Sequence, residues 1–248
     1  MYQSIYIEKR KGNADRGQIF LRDCKKGWKK FKYSPPKYYL DEDGEFETLF
    51  GKKASLIHGS YDYWDPHILE KDVTKELAVL RDLYYKEDSQ PSYHNVVYLD
   101  IEIQILGDLT PSYIQQAIAE LTSIALLDVK SQKKICFIVD KDQKLKDIEL
   151  DNKQVIVCYS ERDLINKFLK KWKELDPTIV ITWNGDFFDI PYLYCRLRNV
   201  FGEETANMLS PIKKVTNMPS NADSPITIGG ISSLDYMRLT KKYITKDF

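Results

Sequence analysis

Residues 96–99, Val-Val-Tyr-Leu, form an apolar run that passes directly into Asp100-Ile101-Glu102. A β-strand displays alternate side chains on one face, so this segment predicts a strand from which Asp100 and Glu102 project together. Leu121 to Val129 and Lys134 to Val139 read as the next two strands. Ile114 to Leu127 also carries the Ala, Gln, Glu and Leu that favour a helix, and the strand reading is the one adopted. Ser160 as N-cap, with Asp163 three positions on, predicts a helix with Leu164, Ile165, Phe168, Leu169 and Trp172 on one face, ended by Pro177. Thr178 to Trp183 is a β-branched, apolar strand. Ile190-Pro191 opens a further helix with Gly202 near its stop, which leaves Asn184 to Asp189 as a strand-to-helix loop. Strands alternating with helices predict a layered α/β domain.

The preceding region has a different pattern. Tyr2 to Lys9 alternates apolar with polar residues, Gln18 to Leu21 is another short strand, and Pro35-Pro36 and Asp43-Gly44 mark turns. Thr74 to Tyr85 reads as a helix carrying Leu77, Leu80 and Leu83. The polar stretch Lys86 to His94, with Pro91, is the expected boundary, giving a strand-rich α+β domain over 1–92 and the α/β domain over 93–248. Near the end, Pro211 to Ile231 reads as a β-hairpin with Lys213 and Lys214 on one side and a tip at Ser220 to Pro225.

Composition narrows the function classes. Hydrophobic residues are 43% and charged residues 30% of the 248, as in a folded soluble protein. The 37 basic and 37 acidic residues cancel, so nucleic-acid contact has to come from local patches. One such patch is Lys25-Lys26-Gly27-Trp28-Lys29-Lys30-Phe31-Lys32-Tyr33, where lysines interleave with aromatics in a way suited to phosphate contact and base stacking; an exposed strand guarded by lysines is the alternative. No apolar stretch reaches the roughly 20 residues of a membrane helix, and Met1 to Arg10 lacks a signal-peptide core, so a cytoplasmic protein without membrane contact is expected. Cys24, Cys136, Cys158 and Cys195 are scattered and read as reduced, mostly buried thiols. His58, His67 and His94 have no ligand-like spacing, and Tyr61, Tyr63 and Trp64 read as core or interdomain packing.

Asp100, Glu102 and Asp189 offer three carboxylates. Each motif alone is weak: Asp-x-Glu is common on strands, and a carboxylate near a helix start often satisfies free amides. The apolar strand ahead of each places both at sheet ends, where α/β ligand sites form. Phosphodiester hydrolysis at neutral pH needs a hydroxide and a stabilised leaving alkoxide, which two divalent cations roughly 4 Å apart supply. Mg²⁺ takes such hard oxygen ligands.

Leu99-Asp100-Ile101-Glu102 resembles the first exonuclease motif of family B DNA polymerases, and Asn184 to Asp189 resembles the second. Ile181 to Arg198, Phe201-Gly202-Glu203 and Leu209-Ser210-Pro211 resemble the replicative polymerases of T-even-type tailed bacteriophages in particular. The resemblance implies an RNase H-like 3′-5′ exonuclease domain that removes mismatched primer ends with two Mg²⁺ or Mn²⁺ ions. It makes Asp100, Glu102 and Asp189 metal ligands, and Asn184 and Phe188 part of the primer-end pocket. It gives the Lys213–Lys214 hairpin a role in separating primer from template, and places residues 1–92 near single-stranded template. The family's third motif, a Tyr followed by an Asp ligand, is expected beyond Tyr236 and is not found before Phe248. Asp235 and Asp247 are poor substitutes, the first in an apolar, structural-looking segment and the second at a chain end. The domain is therefore expected to be C-terminally incomplete, with the remaining ligand and the DNA-directed DNA polymerase on the same or a separate chain. A non-catalytic DNA-binding or assembly fragment of a split polymerase is the alternative. A stand-alone exonuclease fits less well without the last motif.

Overall fold

The computed structural model describes residues 2–8, 17–48, 50–58, 62, 64–70, 73–87, 93–104, 110–216 and 226–243. Tyr61, Tyr63, the 220–225 hairpin tip and Asp247 lie outside these. The chain divides into two units, Met1–Ser92 and Tyr93–Phe248. Among the described residues no helix is long and apolar enough to cross a membrane.

In the first unit, β1 (Tyr2–Ile7), β2 (Gln18–Asp23) and β3 (Gly27–Lys32) form an antiparallel sheet in chain order. A second small sheet holds β4 (Tyr38–Leu40), β5 (Phe46–Glu47) and β6 (Lys53–Leu56) in the order β4-β6-β5. Helix α1 (Lys75–Tyr84) starts at Thr74, whose hydroxyl accepts from the Leu77 amide. Its buried face is Ala78, Val79 and Leu80, and Val79 joins Ile7 and Ile19 in a small core. This corrects the expected Leu77-Leu80-Leu83 stripe, since Leu77 and Leu83 are exposed. Three-residue spacing drifts by about 60° per step on a helix of 3.6 residues per turn, so only the middle leucine is buried. Trp64, expected in core or interdomain packing, is 82% exposed on a turn in which its amide donates to Asp62. Cys24 is exposed at the β2–β3 turn, whereas Cys158 and Cys195 are buried; all four cysteines are free thiols.

The second unit is built on a seven-stranded mixed sheet. Its strands are β7 (Val96–Ile103), β8 (Leu121–Asp128), β9 (Lys133–Val139), β10 (Ile148–Leu150), β11 (Lys153–Cys158), β12 (Ile179–Thr182) and β15 (Ser232–Asp235), in the order β10-β11-β9-β8-β7-β12-β15. β7, β8 and β9 run antiparallel, while β12 lies parallel to both β7 and β15. The strand reading of Leu121 onward holds. The helix-favouring residues before it form only the short α2 (Pro111–Gln116), which stops at Ala117 in a left-handed conformation.

Helix α3 (Glu161–Leu175) is the crossover that returns the chain to β12. Ser160 caps it by accepting from the Asp163 amide, and Asp163 reaches back to the Tyr159 amide. The expected apolar face is the buried one, packed on β8, β9 and β11. Helix α4 (Asp189–Phe201) packs against β7 and buries Ile190, Tyr192, Leu193 and Leu197. A buried ion pair joins these layers. The Arg196 guanidinium meets both Glu161 oxygens at 2.7 Å and donates to the carbonyls of Ala117 and Ile118, while Glu161 accepts from the Leu121 amide. After α5 (Glu203–Ala206) and a single 3₁₀ turn, the expected hairpin appears as a two-residue ladder of β13 (Val215–Thr216) with β14 (Thr227–Ile228). Helix α6 (Tyr236–Tyr243) follows β15 directly and buries none of its residues.

Candidate active site

The burial of β7 alternates along its length: Val97, Leu99 and Ile101 are buried, while Tyr98, Asp100 and Glu102 face out. The expectation that both carboxylates share one face is met. The ladder between β7 and β12 ends at Tyr98 opposite Ile181, two residues before Asp100. Beyond that point the edge of β7 has lost its neighbouring strand, and the Ile101 amide donates instead to Asp189 Oδ1 at 3.3 Å. The register with β8 is irregular between Glu102 and Ile103.

Asp189 is the first residue of α4, yet it does not cap the helix. The N-cap position is Phe188, and no side chain caps the first turn. Asp189 instead turns back toward β7 and is only 2% exposed. Burial pushes its carboxyl up, the nearby Asp100 charge pushes it further, and the Ile101 hydrogen bond offsets only part, leaving a value of about 7. Asp100 and Asp189, 89 positions apart, are thus electrostatic neighbours.

The loop between β12 and α4 has a defined course. Asn184 sits in the left-handed region at φ 63°, and its carbonyl accepts from the Phe187 and Phe188 amides. Gly185 packs onto Thr182 so closely that a Cβ would lie 1.7 Å from the Thr182 hydroxyl, so no other residue fits without moving the loop. Phe188 is half-buried, with its ring 5.7 Å from Tyr192, while Trp183 and Phe187 are exposed. Asn184 opens the turn and Phe188 immediately precedes Asp189. Asp235, considered only as a poor substitute ligand, is buried under this loop and accepts from its amides. Sequence reasoning missed that role because it depends on β15 lying beside β12. Asp186, between the two motif ends, pairs with Arg238 of α6 at 2.9 Å.

Among the described residues no group of three or more His, Cys, Asp or Glu side chains is gathered closely enough to hold a metal ion. The structure couples Asp100 to Asp189, and Glu102 shares the outward face of β7 with Asp100. The available donors are carboxylate oxygens, and the Asp100–Asp189 pair carries negative charge that a hard divalent cation would neutralise. The chemistry of the donor set fits Mg²⁺ or Mn²⁺.

The expected DNA-contacting lysines fall in both units. Lys25, Lys26, Lys29 and Lys30 are all exposed on the β2–β3 hairpin, with the Lys25 and Lys26 amides tied to Asp23. Arg22 lies over the Trp28 ring at 6.0 Å and Lys30 over Phe20 at 5.5 Å. Lys213, at φ 54°, and Lys214 sit at the base of the β13–β14 ladder, where the Lys214 carbonyl accepts from Gly229.

A family model described as DNA polymerase family B, exonuclease domain, matches residues 68–247. The chain is 43% identical over 89 residues to a DNA-directed DNA polymerase of Escherichia phage RB69, and 34% identical over 89 residues to that of Enterobacteria phage T4. Each alignment covers 34% of this chain and 10% of the phage protein. A DNA polymerase of Pyrococcus glycovorans is 50% identical over 48 residues, 19% of this chain and 6% of that protein. The chain thus aligns with about a tenth or less of the length of these relatives. The mixed sheet with its helical layer is the RNase H-like domain that the motifs imply. On the extent of the family match, this chain belongs to the family B DNA polymerases, through their exonuclease domain.

Proposed function

We propose that the second unit is the proofreading region of a phage-type replicative polymerase, acting in 3′-5′ removal of mismatched primer ends. The observation that carries this reading is the Asp100–Asp189 pair, one carboxylate at a strand end and the other buried against the Ile101 amide. Asp100, Glu102 and Asp189 are assigned as the ligands of Mg²⁺ or Mn²⁺. When bound, divalent cations supply a hydroxide at neutral pH and stabilise the leaving alkoxide.

The remaining roles belong to the chain itself. Asp189 is held in place by its bond to a strand amide and by the rigid turn from Asn184, so the carboxylate pair is set before a substrate arrives. Phe188 and Asn184 line the approach to the pair, where a frayed primer end would be stacked and hydrogen-bonded. The Lys213–Lys214 hairpin and the Lys25–Lys30 hairpin are assigned to primer-template and single-stranded DNA backbone contacts. The first unit is read as the N-terminal polymerase domain, and DNA-directed synthesis is assigned to a further polymerase portion on the same or a separate chain.

The absence of a three-donor cluster among the described residues favours one second reading, a DNA-binding or assembly fragment without its own catalysis. Purified chain incubated with 5′-labelled single-stranded DNA and Mg²⁺ or Mn²⁺ separates the two. Shortening from the 3′ end that disappears in Asp100→Ala supports the nuclease. No shortening in either protein, even after addition of the downstream polypeptide, refutes it and leaves the assembly reading.

A further inference from the structure

We infer that Asp235 is a positioning residue for the candidate active site: its buried carboxylate fixes the loop that delivers Asp189 to Asp100, and it is not itself a metal ligand. The inference rests on the reading of Asp100 and Asp189 as cation-binding carboxylates. Asp235 ends β15, and the parallel register places it opposite Thr182, the last residue of β12. It is 5% exposed. Its Oδ1 accepts from the amides of Asn184 at 3.1 Å, Met237 at 2.9 Å and Arg238 at 3.3 Å, and its Oδ2 accepts from the Asp186 amide at 3.3 Å. Two of these donors belong to the strand-to-helix loop and two to the first turn of α6.

A carboxylate occupied on both oxygens by main-chain donors has little capacity left for a cation, and its charge is matched to the positive end of α6. What the arrangement does is tie three segments to one point. Asn184 and Asp186 are held from below, Gly185 between them is seated on Thr182, and Arg238 makes a second tie to the Asp186 carboxylate at 2.9 Å. The Asn184 carbonyl then receives the Phe187 and Phe188 amides, so the start of α4, and with it Asp189, follows from where Asp235 holds the loop.

The test uses the full chain carrying Asp235→Asn, which keeps one acceptor oxygen but presents an N–H where the Asp186 amide needs a lone pair. Two quantities are read: affinity for Mn²⁺ alone, by electron paramagnetic resonance, and the NMR resonance of the Ile101 amide, which reports its bond to Asp189. The expected result is a folded protein with Mn²⁺ affinity about tenfold weaker, the usual effect of losing a group that orients a ligand, together with a displaced Ile101 resonance. A carboxylate that only stabilises the fold would lower the unfolding midpoint and leave both quantities unchanged, which overturns the inference. Lost Mn²⁺ binding with an unmoved Ile101 resonance makes Asp235 a ligand and overturns it as well. If the unsubstituted chain binds no Mn²⁺, the cation reading falls, and the Ile101 resonance alone decides whether Asp235 positions Asp189. Should Asp235→Asn fail to fold, Asp235→Ser, which also keeps an acceptor oxygen, takes the same two measurements, and the same results support or overturn the inference.

Discussion

Replacing Asp189 with asparagine should make the metal-free protein more stable at pH 8, although it removes a buried, hydrogen-bonded residue. The folded-state carboxyl titrates at about 7 against an ordinary 3.8. A raised acid means that the folded state binds its proton more tightly, so the contribution to stability is full below the ordinary value and lost as pH rises through about 7. Three pH units correspond to roughly 4 kcal/mol, an upper limit for one group. The side chain is 2% exposed, so solvent does not screen this effect away. Asparagine stays neutral and retains an oxygen for the Ile101 amide, so Asp189→Asn should gain about 2–4 kcal/mol over the parent at pH 8 in EDTA, and almost nothing at pH 4. At roughly 2–4 °C per kcal/mol for a domain of this size, calorimetry would register the difference clearly. Millimolar Mg²⁺ should stabilise the parent and not the variant, reducing or reversing the order. A variant less stable than the parent at pH 8 in EDTA would refute the reasoning, because it would mean that the buried charge costs the fold little.

Three other outcomes follow from the same physical rules. Arg196→Met strips the guanidinium from a Glu161 that is 7% exposed and should cost about 3–5 kcal/mol in urea unfolding, with part of that recovered when Glu161→Gln is added. In the first unit, the Tyr84 hydroxyl donates to Asp23 at 3.0 Å, so Tyr84→Phe should lose roughly 1–2 kcal/mol at neutral pH. Burial raises the Asp23 carboxyl, but the Lys25 amide, the Tyr84 hydroxyl and the Lys26 amide outweigh it and hold the value at about 2; this stabilisation is therefore present above the ordinary 3.8 and fades as pH falls through about 2, which acid titration of both proteins would show. Changing Lys25, Lys26, Lys29 and Lys30 to alanine should flatten the salt dependence of single-stranded DNA binding by about 0.7 in log–log slope for each phosphate no longer neutralised, measured by fluorescence anisotropy; an unchanged slope removes this hairpin from the interface.

Local periodicity made parts of the site readable and hid others. Asp100 and Glu102 were legible because the alternation of Val97, Leu99 and Ile101 fixes which side of β7 each residue takes. The apolar face of α3 was legible for the same reason, its five residues falling on one side of a regular helix. Asp189 was visible as a motif residue, but whether it capped α4 or turned toward β7 depended on β12 and β7 being neighbours, which is a long-range fact. Asp235 was underrated because its partners lie in a loop brought near only by β15. In α1 the leucine spacing pointed to the wrong stripe, since the sheet beneath selected Val79 instead. Trp64 was misplaced by hydrophobicity alone, with no account of the turn that displays it.

The bond from the Ile101 amide to Asp189 spans 88 positions of chain, and it closes only after four strands, a crossover helix and a fifth strand are in place. Closing so long a segment is slow relative to forming any one of its helices or hairpins. On the proposed assignment, cation uptake would be a late event in the life of a refolding molecule. A chain that has built β7, β8 and β9 already displays Asp100 without yet having its counterpart, so the time course of Mn²⁺ capture should trail the far-ultraviolet signal and keep pace with the docking of β12.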